Sequence, residues 1–110
     1  MMTMRFVLAM LVLGGLICGG VAAERDRLRE HGRALAEEMC SSCHAIGRSG
    51  QSPHPGAPAF RALDRRVNLD TFVDRLRNGL TSGHPDMPTF RFTREDALAL
   101  VAYLRSIQGS

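Results

Sequence analysis

Apolar positions recur at helical spacing in three stretches of the chain, and polar, proline- and glycine-rich segments separate them. The first runs from Arg25 to Met39, with Leu28, Leu35, Ala36 and Met39 on one stripe and Glu and Arg residues elsewhere. A second stripe, Leu69, Phe72, Val73 and Leu76, begins after Asn68 or Asp70, either of which can cap a helix. Asn78-Gly79 ends it, because glycine adopts the left-handed conformation with which helices commonly close. The third predicted helix runs from Arg94 to about Ile107, with Leu100, Tyr103, Leu104 and Ile107 on one face. Thr93 and Asp96 stand at its start like a capping box, and Gly109 lies beyond its end.

Between these stretches the composition changes. Gly47 to Pro58 holds three prolines and three glycines and reads as loop. Thr81-Ser82-Gly83-His84-Pro85-Asp86-Met87-Pro88 reads as a second, stiffer loop. No strand alternation, internal repeat or domain linker is evident, so the expectation is a single all-α domain.

The first 23 residues follow another pattern. Arg5 precedes an apolar run from Phe6 to Leu13 that continues through Leu16 and Ile17, and the small residues Val21-Ala22-Ala23 follow. This is the pattern of a secretory signal peptide with cleavage after Ala23. The competing reading is a retained membrane anchor, since roughly 20 apolar residues span a bilayer, but Gly14, Gly15, Gly19 and Gly20 weaken it as a helix. A lipidated Cys18 is disfavoured by the bulky Ile17 before it. The domain proper is then residues 24–110.

A chain that short builds a thin core and usually needs a staple. Its aromatic residues are Tyr103 and four phenylalanines, with no tryptophan. Lysine is absent; once Arg5 leaves with the leader, 13 arginines face 11 acidic residues and are spread along the chain. A nearly balanced, unclustered charge gives no footprint for nucleic acid.

The chemistry is concentrated in Cys40-Ser41-Ser42-Cys43-His44. C-x-x-C-H is the attachment signature of c-type haem: two thiols one helical turn apart can add to the two vinyl groups on one edge, and the next residue offers an imidazole to the iron. A thiol redox pair would want a βαβ context, and a zinc site would want a second pair of ligands. Neither is present, and both cysteines left after cleavage belong to this motif.

The ordered set of pieces resembles a class I cytochrome c of the small bacterial periplasmic kind. Gly32, C-S-S-C-H, Ala57-Pro58-Ala59-Phe60, His84-Pro85-Asp86-Met87-Pro88 and Leu100-Val101-Ala102-Tyr103-Leu104-Arg105 carry the resemblance, which covers nearly all of residues 24–110. It implies the cytochrome c fold, about three to four helices wrapped around one covalently bound haem, with the N- and C-terminal helices crossing. It implies that Gly32 lets the last helix approach at Leu100 and Tyr103, which would explain a glycine that costs about 1 kcal/mol inside a helix.

The resemblance also implies that His44 is the proximal iron ligand and that a proline carbonyl orients it, at Pro58 or failing that Pro55. For the sixth ligand, Met39 and Met87 are the methionines outside the leader, and Met39 adjoins Cys40 on the proximal side. Met87, stiffened by Pro85 and Pro88, is the expected ligand. His84 in the same loop is the competitor, with His31 and His54 more distant; Asp86 is expected to be solvated. With both axial positions filled, the implied protein is not an enzyme. It is a periplasmic, membrane-free, monomeric electron carrier exchanging electrons with redox partner proteins. A subunit of a dehydrogenase or oxidase complex, and a peroxidase or gas sensor with a labile Met87, are the alternatives.

Overall fold

The computed structural model describes residues 2–110, with side chains from residue 19 onward. Four helices follow one another: α1 (Met2–Met39), a 3₁₀ helix (Phe60–Arg65), α2 (Leu69–Asn78) and α3 (Arg94–Ile107). The architecture is all-α. Among the described residues the one extended pairing is an isolated antiparallel bridge between Leu80 and Phe90.

Helix α1 does not begin at Arg25 but continues upstream of it. Neither a proline nor a capping residue interrupts Val21-Ala22-Ala23-Glu24, so the hydrogen-bond ladder carries through. The apolar part of the expected signal peptide lies outside the described side chains. Among the described residues no helix is long and apolar enough to cross a membrane.

The other helix ends are set by their caps. Asn68 caps α2, its side chain accepting from the Asp70 N–H at 2.8 Å, and Gly79 closes that helix with φ of 108°. Thr93 caps α3 by accepting from the Asp96 N–H at 3.1 Å. The reciprocal half of the capping box is diverted, because the Asp96 carboxylate bonds His31 Nε2 of α1 at 2.7 Å.

The core lies where α3 meets the other elements. Leu100, Val101, Tyr103, Leu104 and Ile107 of α3 are buried with Phe72 and Leu76 of α2, Phe60 and Leu63 of the 3₁₀ helix, and Ala36 of α1. On α1 the buried positions are Gly32 and Ala36, while Leu28, Leu35 and Met39 are half-buried. Of the expected stripe Ala36 is the fully buried member. A Cβ at Gly32 would stand 1.9 Å from the Ala99 carbonyl oxygen and 2.9 Å from Tyr103 Cβ. The nearest neighbours of Gly32 are thus Ala99 and Tyr103, where Leu100 and Tyr103 were expected; two helices this close need the smaller residue opposite the glycine.

Long-range polar contacts hold the loops to this frame. Tyr103 donates its hydroxyl to the Ile46 carbonyl at 2.7 Å, and the Phe60 N–H donates to the Ala45 carbonyl at 2.9 Å. Gln108 donates to the Phe60 carbonyl at 2.7 Å, fastening the 3₁₀ helix to the end of α3. The Phe92 N–H donates to the Leu76 carbonyl at 2.9 Å, which pins the exit of the second loop to α2.

Candidate haem site

Helix α1 ends at Met39, and the attachment motif forms the turn that follows. The Cys40 N–H still donates to the Ala36 carbonyl at 2.9 Å, and the His44 N–H donates to the Cys40 carbonyl at 2.9 Å. One helical turn thus carries Cys40, Cys43 and His44. Cys40 and Cys43 are not joined in a disulfide, and both are half-buried. Burial pushes the Cys40 thiol up to about 11, and the neighbouring Cys43 acts in the same direction. A dithiol redox pair is built the other way, with the nucleophilic thiol's pKa lowered. The raised Cys40 thiol thus lacks the activation of such a redox pair.

His44 is held from two sides. Its Nδ1 donates to the Pro58 carbonyl oxygen at 2.7 Å, so the carbonyl facing it is that of Pro58 and not Pro55. The buried Phe60 ring stands 4.9 Å away, centroid to centroid. An imidazole that donates through Nδ1 keeps the lone pair on Nε2, the form in which histidine binds a metal, and the acceptor raises its basicity. The loop between them is folded back on the turn: His54 N–H donates to the Cys43 carbonyl at 3.1 Å, and Ala45 N–H donates to Ser52 Oγ at 3.0 Å.

Met87 lies in the loop closed by the Leu80–Phe90 bridge, whose hydrogen bonds measure 2.7 and 3.4 Å. From Thr81 to Thr89 every residue is exposed except Met87, which is half-buried. Within the loop the Met87 N–H donates to the His84 carbonyl at 3.2 Å and the His84 N–H to Ser82 Oγ at 3.0 Å. Met87 is thus the half-buried residue of this loop, while the exposed His84 turns its ring to that of His54.

The competing histidines have other partners. His31 pairs with Asp96, and His54 Nε2 lies 3.1 Å from Asp86 Oδ2. Asp86 is exposed, as expected, and its carboxylate also reaches His54. The rings of His54 and His84 meet edge to face at 5.3 Å. Their convergence across two loops leaves no local signal in the sequence.

The donor set suits a haem. Two cysteines and an oriented imidazole occupy one turn. Met39, Cys40 and Ile46, at and next to this turn, pack on the core while remaining only partly buried. Residues 27–104 match the family model described as "Cytochrome C oxidase, cbb3-type, subunit III". The chain belongs to the class I cytochromes c. A curated relative, cytochrome c-552 of Bradyrhizobium diazoefficiens, is 31% identical over 78 residues, covering 71% of this chain and 73% of the relative. No solved structure matches.

The cytochrome's cofactor is a covalently bound haem c with one iron, and its chemistry is haem-based electron transfer. Cys40 and Cys43 stand in the positions that hold the haem.

Proposed function

We propose that this cytochrome is a one-electron carrier of the periplasm, with His44 and Met87 as axial ligands and residues 1–23 removed as a signal peptide. The observation that carries this reading is the imidazole oriented by the Pro58 carbonyl, and Met87, half-buried in a loop otherwise exposed from Thr81 to Thr89, is the candidate for the second ligand. With both axial positions filled by protein, no position is left for a substrate. When bound, the haem supplies an iron that takes up and gives back one electron. Pro58 and Phe60 keep the imidazole in one orientation, and the Leu80–Phe90 bridge with Pro85 and Pro88 keeps Met87 from wandering. A thioether opposite imidazole favours the ferrous state relative to two imidazoles, which raises the potential. Pre-ordered ligands also reduce the rearrangement that accompanies each electron.

A second reading is favoured by the description of the matching family, which is an oxidase subunit. A permanently docked subunit would present an apolar face to its neighbours. The exposed large hydrophobics among the described residues are Val21 and Leu98, the former within the segment expected to be removed. That supports the free carrier. Size-exclusion chromatography of a gentle periplasmic extract, followed by haem absorbance, tests it. A free carrier elutes as a particle of 87 residues plus haem; elution with a large complex would make it a subunit.

A further inference from the structure

We propose that His54, His84 and Asp86 form a binding site for a divalent transition-metal ion of the zinc class, separate from the haem iron. The ion would tie the loop after the attachment motif to the loop that carries Met87. One ligand atom from each residue lies within 4.8 Å of the others. His54 Nε2 is already 3.1 Å from Asp86 Oδ2, and the two imidazoles meet edge to face.

Local chemistry holds this arrangement before any ion arrives. His54 precedes Pro55 and His84 precedes Pro85, and the residue before a proline is confined to extended backbone. Each ring turns its Nδ1 to its own chain: His54 Nδ1 accepts from the Gly56 N–H at 3.0 Å, and His84 Nδ1 from the Asp86 N–H at 3.2 Å. The Nε2 atoms are therefore the ones left for a shared ligand. Gly56 lies against both rings. A Cβ there would sit 3.3 Å from His54 Cε1, a tight contact, and 3.5 Å from His84 Nε2, an ordinary one.

Two imidazoles and one carboxylate suit zinc, copper or nickel, whereas calcium and magnesium want oxygen ligands. Three protein ligands leave the fourth position of a tetrahedral ion to water. Binding at Nε2 moves each ring proton to Nδ1 and releases the Gly56 and Asp86 N–H groups, both on exposed residues where water replaces the lost acceptor. Since Asp86 adjoins Met87, a loaded site would restrain the Met87 loop. The His31–Asp96 pair between α1 and α3 has a similar contact, 2.7 Å, but is not part of this cluster, so it serves as an internal control.

The test is calorimetric titration of the haem-loaded protein with zinc chloride. One ion per chain should bind saturably at micromolar concentration. His54→Ala, His84→Ala and Asp86→Asn should each weaken binding at least tenfold, with the haem spectrum and cooperative melting of the parent retained. His31→Ala should bind as the parent does. Absence of saturable binding, or parental affinity in any one of the three site variants, overturns the proposal. Loss of the parental haem spectrum in His84→Ala would place His84 at the iron, which also overturns it.

Discussion

Gly32 of α1 and Ala99 of α3 meet backbone to backbone, so closely that a Cβ at residue 32 would lie 1.9 Å from the Ala99 carbonyl oxygen. That atom cannot swing aside as a side-chain tip could, so the helices would have to separate. Alanine gains up to about 1 kcal/mol over glycine in a helix interior, but forcing atoms into a close contact typically costs 1–3 kcal/mol, occasionally more. Gly32→Ala should therefore destabilise the protein and lower its melting temperature by roughly 5–10 °C, at about 4–8 °C per kcal/mol for a domain of this size. A thermal melt followed by circular dichroism reads it.

Tyr103 ties the last helix to the backbone just beyond the attachment turn, through its bond to the Ile46 carbonyl. Tyr103→Phe leaves that carbonyl without its partner and should cost about 1–3 kcal/mol while leaving the haem spectrum unchanged. Denaturant unfolding of the two proteins gives the difference.

The same residue makes stability depend on alkaline pH. Burial raises the Tyr103 hydroxyl above its ordinary value of 10.0, with Arg33 and Arg48 opposing. Below pH 10 both folded and unfolded states hold the proton and nothing changes. Above it the unfolded chain ionises first, so stability falls as pH rises toward and through the folded value. Melting temperature should drop above pH 10, and the drop should be shallower in Tyr103→Phe. Because this is the chain's one tyrosine and there is no tryptophan, ultraviolet difference titration follows it directly.

Much of this was legible in the sequence because it rests on local chemistry. Asn68, Thr93 and Gly79 act on their own helices, and the attachment motif occupies five consecutive residues. The 3₁₀ helix was not legible. It is too short for a periodic signal, and it depends on partners as distant as Ala45 and Gln108. The contact opposite Gly32 was placed one residue late: the larger Leu100 reads as the better core residue, but a close backbone approach selects Ala99. The cluster of His54 with His84 and Asp86 spans two loops about thirty positions apart, and it exists only once the domain has closed them together.

Met87 is the residue on which the proposed potential depends. Met87→Ala opens the sixth position to water or an added ligand and should lower the potential. Met87→His should lower it too, yet keep a low-spin spectrum because imidazole replaces sulfur. Redox titration with optical spectra checks both; a parental potential and spectrum in Met87→Ala would remove Met87 from the iron.

The covalent haem is the claim on which the rest stands, and intact mass spectrometry of the purified protein after treatment with a thiol-alkylating reagent tests it most directly. The expected mass is that of residues 24–110 plus one haem, with neither Cys40 nor Cys43 alkylated. A polypeptide mass without haem, carrying two alkylated cysteines, would contradict it.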